Sequence, residues 1–260
     1  MTGRPAVVIF DLDGTLMDHE ASVTAALRAW LPSLGARPTD DLAAAWFAAE
    51  ERHFPAWQAR EISWQEQRRR RLRDFLPLIG HPAGTEAELD AVFAGYAVSY
   101  EAAWTRFDDV LPALHDLSVL GLPTAVLTNG TAAQQNAKVA AIGLSGTIGP
   151  VFTAEELGAA KPEARAFLSV CERLEVQPGA ALHVGDRYNL DVVAARAAGL
   201  AAVHLDRHDG GPHTEPARLT SLRGLAGHIR IDWEDDALRY RKRAMELTAP
   251  RRRPGERALR

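Results

Sequence analysis

Two aspartates stand two residues apart directly after an apolar run near the start of the chain. Residues 6–10 read Ala-Val-Val-Ile-Phe, and Asp11-Leu-Asp13-Gly14-Thr15 follows at once. One carboxylate can attack phosphorus as a nucleophile, and the other can protonate the leaving oxygen and later activate water. We therefore predict Asp11 as nucleophile and Asp13 as general acid, with Gly14 and Thr15 in support, since glycine allows an unusual backbone turn beside a phosphate. Taken alone, an Asp-x-Asp near a turn is more often a solvated loop or a helix cap.

Two later segments could bind a phosphate group. Thr128-Asn129-Gly130 ends an apolar run and precedes a helical stretch, so its N–H groups and the Thr128 hydroxyl can donate to phosphate oxygens. Lys161 stands before Pro162, which suits the first turn of a helix. A fixed ammonium there would neutralise phosphate charge and hold carboxylates apart. We predict that Thr128, Asn129, Gly130 and Lys161 bind the phosphate and that Lys161 is also catalytic. Each of the two segments alone is an ordinary turn.

A second pair of carboxylates, Asp186 and Asp191, follows the apolar run at 181–184. Carboxylate oxygens are the ligands that Mg²⁺ prefers, so we predict Asp186 as a metal ligand. Asp191 could hold a metal-bound water or orient Lys161, and a helix N-cap is the alternative for this position. Four acidic side chains in one cleft would repel one another unless a cation bound there, which predicts a divalent ion.

The pattern of short apolar runs predicts the elements that position these residues. Each run is typical of a strand buried on both faces of a parallel sheet, and helical stretches separate them. The predicted strands are residues 6–10, 124–127, 149–153, 181–184 and 201–205, and the predicted helices are residues 111–120, 132–142, 164–174 and 191–198. We expect a doubly wound parallel α/β sheet whose strand ends bring the four polar segments to one edge.

The block between the first and second predicted strands shows no convincing buried strand. It is rich in Ala, Leu, Glu, Arg and Trp and broken at prolines 32, 38, 55, 77 and 82, which predicts an inserted helical domain. We predict a core at 1–17 and 108–232, a helical cap at 18–107 and a basic C-terminal extension at 233–260. Within the cap, residues 68–71 are all arginine and are expected to form a solvated helical face.

Composition limits the classes of partner. The chain of 260 residues is 47% hydrophobic with a net charge of -4, so neither nucleic acid nor a membrane is an expected partner. The apolar run at the N-terminus is too short for a signal segment, and the single cysteine, Cys171, suits a reducing cytoplasm and a buried, unreactive position. The state of assembly stays open between monomer and homodimer.

The four polar segments in this order resemble the haloacid dehalogenase-like hydrolase superfamily. The resemblance rests on Asp11-Leu-Asp-Gly-Thr15, Thr128-Asn-Gly130, Lys161-Pro162 and Gly185-Asp186 through Asp191. It implies a Rossmann-like core with a helical cap inserted after the first strand. It also implies that Asp11 accepts the phosphoryl group and that Asp11, the Asp13 carbonyl and Asp186 hold Mg²⁺.

Asp13 favours phosphate chemistry over carbon–halogen chemistry within this superfamily. The haloacid dehalogenases lack the second aspartate, because their reaction has no alcohol leaving group to protonate. We therefore expect a phosphatase for a small phosphomonoester such as a nucleotide or sugar phosphate. A phosphomutase or phosphotransferase with the same core is the main alternative, followed by a 2-haloacid dehalogenase or a phosphonate-cleaving enzyme. A binding module without catalysis, using the basic extension as its contact surface, is the non-enzymatic alternative.

Overall fold

The protein is built around one parallel sheet, as seen in a computed structural model that describes residues 4–230. The predicted basic extension at 233–260 lies outside the described residues. The strands are β1 Val7–Phe10, β2 Thr124–Thr128, β3 Val151–Thr153, β4 Ala181–Gly185, β5 Ala201–Leu205 and β6 Arg218–Leu219. Every strand pairs in parallel with its neighbours, in the order β3-β2-β1-β4-β5-β6. The predicted parallel α/β sheet is confirmed. Strand β6 was not predicted, because its two residues do not form an apolar run.

Helices connect the strands and fill the block after β1. They are α1 His19–Trp30, α2 Asp40–Gln58, α3 Trp64–Phe75, α4 Glu86–Ala102, α5 Val110–Val119, α6 Ala132–Ala141, α7 Ala154–Leu157, α8 Ala164–Arg173 and α9 Ala194–Ala197. A π-helical turn, Tyr188–Val193, precedes α9. Four of these helices, α1 to α4, lie between β1 and the helix that leads into β2, so the inserted helical block is present. No helix within residues 4–230 combines the length and apolar character that a membrane span needs.

The strand order places a crevice at the carboxyl ends of β1 and β4. The chain builds outward from β1 through β2 to β3, then returns to lay β4 on the other side of β1. Open α/β sheets bind ligands where the strand order reverses in this way, because the loops diverge there and leave a gap. One predicted carboxylate pair follows β1 and the other follows β4, so the fold brings both pairs to the same gap.

Strand β1 is buried on both faces, which explains its uninterrupted apolar sequence. Successive side chains of a strand point to opposite sides of the sheet. Val8 and Phe10 belong to the apolar layer that includes helix α5 and the inserted helices. Val7 and Ile9 belong to the opposite layer with α8 and α9, where Cys171 is also buried. The sheet is therefore covered by helices on both sides.

The inserted helices have their own aromatic core. Trp46 is fully buried, with its ring centroid 4.3 Å from that of Tyr96 and 5.0 Å from that of Phe75. Each of α1 to α4 is preceded by a residue whose side chain accepts a hydrogen bond from a backbone N–H of the first turn. These capping residues are Asp18, Thr39, Ser63 and Thr85 in turn. Such caps satisfy N–H groups that the helix leaves free and so fix where each helix starts.

The predicted helix break at Pro55 is wrong. Pro55 lies inside α2, one turn before its end. A proline inside a helix lacks an N–H donor and its ring crowds the carbonyl four residues earlier, but the Pro55 carbonyl still accepts from the Ala59 N–H at 2.8 Å, as in a regular helix. The helix therefore continues past Pro55 to Gln58.

Candidate active site

The loop after β1 brings Asp11 against the loop after β4. The Asp11 N–H donates to the Val184 carbonyl at 2.9 Å, which extends the pairing of the two strands by one residue. Gly14 has a φ of 85°, and a Cβ at this position would overlap the Asp186 carboxylate. The Thr15 hydroxyl donates to the same carboxylate at 3.5 Å. Only glycine therefore permits this close approach of the two loops.

Lys161 links the two carboxylate pairs. Its Nζ donates to Asp11 Oδ1 at 2.5 Å and to Asp191 Oδ1 at 2.7 Å, and the side chain is 1% exposed. Burial opposes the charge of Lys161, but the two carboxylates raise its pKa above the ordinary value. The Asn129 amide fixes the lysine backbone through two hydrogen bonds of 2.8 Å, to the Lys161 carbonyl and from its N–H. Lys161 is thus held as a charged group against Asp11.

Three carboxylates meet at this point. One oxygen from each of Asp11, Asp186 and Asp191 lies within 4.8 Å of the others. Burial raises the pKa of Asp11 to about 6, against the opposing effect of Lys161. Burial also raises the pKa of Asp186 well above its usual range, and the charges of Asp11 and Asp191 add to this. Crowded, desolvated carboxylates are stabilised by a bound cation, so this cluster could hold a metal ion.

The three carboxylates differ in how many oxygens they have free. Asp191 accepts from Lys161 with one oxygen and from the Arg187 N–H at 3.0 Å with the other. Burial alone would raise the pKa of Asp191, but Lys161 and His183 together lower it below its ordinary value. Asp11 uses only one oxygen for Lys161. Asp11 and Asp186 therefore fit a hard divalent cation better than Asp191, whose contacts suit a residue that orients Lys161.

The carboxyl end of β2 forms the wall beside Asp11. The Thr128 hydroxyl lies 3.5 Å from Gln135 Oε1 on α6, while Asn129 uses its side chain on Lys161. The predicted phosphate contact of Asn129 would therefore have to come from its main-chain N–H. Gly130 completes the turn into α6.

The predicted site residues converge on one cavity of about 510 Å³ between the sheet and the inserted helices. Those that line it are Asp11, Asp13, Gly14, Thr128, Asn129, Gly130, Lys161 and Asp186. Thr15 and Asp191 are fully buried and contact lining residues instead. The four sequence segments are therefore brought together, as the strand-end pattern predicted.

Lys138 on α6 is a site residue that sequence reasoning missed. Its Nζ lies 2.7 and 2.8 Å from the two Asp13 oxygens, and its side chain is 5% exposed. The ammonium also lies 5.7 Å from the centroid of the Tyr100 ring on α4. The one sequence signal was its rarity, since it is one of three lysines among 30 basic residues. Lys138 joins the predicted general acid to the inserted helices.

Two buried histidines also support the site. His183 Nε2 lies 3.1 Å from Asp191 Oδ1, and burial lowers the pKa of this imidazole. His204 Nε2 lies 3.0 Å from the Asp186 carbonyl oxygen. Each histidine holds one member of the second carboxylate pair, from β4 and β5. Neither could be recognised from sequence, because a lone histidine in an apolar strand carries no spacing signal.

The prediction that residues 68–71 form a solvated face is wrong for Arg68 and Arg71, and the Arg69 side chain is also largely covered, at 17% exposed. Arg71 is 5% exposed, lies 4.6 Å from the Trp46 ring centroid and forms a 3.0 Å ion pair with Glu50. Arg68 lies over aromatic rings in the same cavity. Residues three apart share one face of a helix, so Arg68 and Arg71 both point inward. A run of four arginines hides this difference, because it has no apolar residue to mark the buried side.

The ion pair of Glu50 makes stability depend on pH. Burial alone would raise the pKa of Glu50, but Arg71 and His19 lower it from 4.5 to about 2. A depressed pKa stabilises the fold above the unfolded-state value and loses that effect as pH falls. We expect Glu50→Gln to lower the free energy of unfolding at pH 7. The difference from the parent should shrink below about pH 4.5 and vanish near pH 2.

Urea unfolding from pH 7 to pH 3 measures this difference. Glu61→Gln is the matched control, because Glu61 is exposed and should change stability little at any pH. A Glu50→Gln deficit that stays constant across the series would contradict the assigned ion pair.

Comparison with known proteins agrees with this geometry. A family model described as haloacid dehalogenase-like hydrolase matches residues 5–199. The ribulose-1,5-bisphosphate 5-phosphatase of Halopiger xanaduensis is 28% identical over 227 residues, covering 85% of this chain and 93% of that protein. The glyceraldehyde 3-phosphate phosphatase of Methanopyrus kandleri is 34% identical over 101 residues, covering 39% of this chain and 43% of that protein.

A solved structure shares the fold over most of the chain. The HAD-hydrolase YfnB of Bacillus subtilis, solved with magnesium bound, superposes with a TM-score of 0.76 at 21% identity, covering 87% of this chain and 99% of that one. The extent of the family match, together with the strand order and the four converging segments, confirms the resemblance. This chain belongs to the haloacid dehalogenase-like hydrolase family.

Proposed function

We propose that this protein is a Mg²⁺-dependent phosphatase that hydrolyses a small phosphomonoester through an aspartyl phosphate on Asp11. The observation that carries the proposal is the position of Asp11, which is buried, held by Lys161 and next to Asp186, in the lining of a cavity that Asp13 also lines. The two relatives compared above are named as phosphatases of small phosphate esters. The geometry around Asp11 and the names of these relatives both support hydrolysis of a phosphate ester.

The donor set fits Mg²⁺. Oxygen ligands are all that the cluster offers, and this ion typically uses one or two carboxylates together with water. We assign Asp11, the Asp13 carbonyl and Asp186 as the residues that would hold it. When bound, Mg²⁺ would offset negative charge on the transferring phosphoryl oxygens.

The proposed reaction has two steps. In the first, an oxygen of Asp11 forms a bond to phosphorus in line with the ester P–O bond, which breaks as Asp13 gives its proton to the leaving alcohol oxygen. In the second, the Asp13 carboxylate takes a proton from water, which attacks phosphorus and releases inorganic phosphate from Asp11. Lys161 offsets charge at Asp11 in both steps, and the turn of residues 128–130 donates to the phosphoryl oxygens.

Asp13 distinguishes this proposal from its alternatives within the family. A dehalogenase has no leaving alcohol and no use for a proton donor at this position, whereas Asp13 faces the cavity. A phosphomutase would use the same residues but return the phosphoryl group to a sugar instead of to water.

The test of the proposed function is release of inorganic phosphate from a panel of nucleotides, sugar phosphates and other phosphomonoesters. We expect release with Mg²⁺ and none after chelation. Transfer of labelled phosphate between sugar positions without release would favour the mutase.

A further inference from the structure

Arg68 is a half-buried cation in the wall that the inserted helices contribute to the cavity. Its guanidinium carbon lies 5.1 Å from the Trp64 ring centroid and 4.9 Å from that of Phe93. Its Nε is buried and has no hydrogen-bond partner among the described residues. Burial, with the nearby charge of Arg71, lowers the pKa of Arg68, while Glu101 opposes this from a distance. The side chain is thus charged, partly desolvated and not neutralised by contact.

The other lysines and arginines of the cavity are each neutralised by a carboxylate. Lys161 pairs with Asp11 at 2.5 Å, Lys138 with Asp13 at 2.7 Å, Arg71 with Glu50 at 3.0 Å and Arg187 with Glu51 at 2.8 Å. Within residues 4–230, Arg68 is the cavity-lining lysine or arginine without such a partner. Leaving a partly buried guanidinium unpaired costs free energy that the two aromatic faces only partly offset.

The chemistry of Arg68 identifies what would complete its contacts. A guanidinium presents parallel N–H donors that match the oxygens of a carboxylate or a phosphate. The reacting phosphate already has Lys161 and the turn after β2, both on the sheet side of the cavity. Arg68 belongs to α3, among the inserted helices, and the cavity of about 510 Å³ has room for more than a phosphoryl group.

We infer that Arg68 binds a second anionic group on the substrate. The preferred substrates are then phosphomonoesters whose leaving alcohol carries a carboxylate or a further phosphate. This inference rests on the proposed function for the reacting end of the substrate. The neighbouring rings of Trp57 and Trp64, whose centroids are 4.6 Å apart, would cover the carbon chain between the two anionic groups.

Binding of unreactive phosphonates tests the inference without requiring turnover. The probes are ω-carboxyalkyl phosphonates with two to six methylenes, each compared with the alkyl phosphonate of the same length. Calorimetry with Mg²⁺ present gives the affinities for the full chain and for Arg68→Met, which keeps the apolar stem over Trp64 and Phe93. We expect at least one carboxylated probe to bind the parent about 10- to 100-fold more tightly than its alkyl match, as for a charged hydrogen bond. Arg68→Met should lose this preference while its affinity for alkyl phosphonates stays the same.

Arg70→Met is the matched control. Arg70 lies on the same helix, pairs with Glu66 at 3.1 Å and does not line the cavity, so its loss should leave the preference unchanged. Bisphosphonates of equal lengths show whether a second phosphate or a carboxylate is favoured. The inference is overturned if no probe pair differs in the parent, if neither series binds, or if the preference survives in Arg68→Met or is lost equally in Arg70→Met. Phosphate release is measured separately. A binding preference without phosphate release from any ester would contradict the proposed function but would still support the anion site at Arg68.

Discussion

Replacing Asp11 by Asn is expected to lower kcat for Mg²⁺-dependent phosphate release by at least about 10⁴-fold, the scale seen when one member of a covalent catalytic unit is removed. An amide is a poor nucleophile, so the phosphoryl group has no acceptor. The substitution changes no volume, and Lys161 keeps its 2.7 Å contact with Asp191, so the fold should persist. Release from an aryl phosphate and the urea midpoint measure the two effects.

Asp40→Asn controls for the loss of one negative charge. Asp40 lies exposed in the first turn of α2, outside the cavity, and its substitution should leave turnover close to the parent value. If the Asp11 variant kept more than a few per cent of parent activity, Asp11 could not be the phosphoryl acceptor.

Asp13→Asn is expected to slow the two chemical steps by amounts that depend on the substrate. A general acid or base contributes about 10² to 10⁴ in rate. With an alkyl phosphate, both steps need Asp13 and steady-state turnover should fall by at least that factor. With 4-nitrophenyl phosphate, the leaving group needs little protonation, so only the water attack should be slow. The variant should then release one equivalent of nitrophenol per enzyme in a rapid burst and continue slowly.

Stopped-flow absorbance measures the burst directly. The asparagine keeps an oxygen for Lys138, which approaches Asp13 to 2.7 Å, so a folding defect is not expected. Equal losses with the alkyl and nitrophenyl esters, without a burst, would contradict the assignment of Asp13 as proton donor and acceptor.

The core of the site could be predicted because its determinants are local in sequence. Three of the four predicted site segments lie at the end of an apolar strand, as Asp11 follows β1 and Asp186 follows β4, whereas Lys161 follows β3 only after the short helix α7. In a parallel sheet, strand ends necessarily meet at one edge, so recognising the strands was enough to bring the segments together. The distances among Asp11, Lys161 and Asp191 add detail to a prediction that the order of segments already made.

The wall contributed by the inserted helices could not be predicted in the same way. Whether an arginine in the run 68–71 faces solvent or cavity depends on how α3 packs against its neighbours, which a uniform run does not reveal. Lys138 and Asp13 are separated by 125 residues, and their contact depends on where α6 lies relative to the loop after β1. The residues proposed to choose the substrate therefore depend on tertiary packing, whereas most of those proposed to perform the chemistry follow from strand ends.

The contacts that hold Lys161 are separate from the cavity wall that the inserted helices contribute. The sheet edge holds Lys161 by two hydrogen bonds with the Asn129 side chain, one donated and one accepted, and by buried carboxylates, which leaves its position little freedom. The aromatic and charged side chains of the inserted helices that line the cavity make none of those contacts. The predicted boundaries of the inserted block, 18–107, stay a proposal that limited proteolysis of the native chain would examine.

The central claim is that Asp11 carries the phosphoryl group between ester and water. Its most direct test is rapid acid quenching of the Asp13→Asn variant after mixing with ³²P-labelled aryl phosphate and Mg²⁺, followed by peptide mapping. We expect label approaching one equivalent on the peptide that contains Asp11, and no label when Asp11 is also replaced by Asn. Label on a different residue, or phosphate released at full rate with no labelled protein at any time, would contradict it.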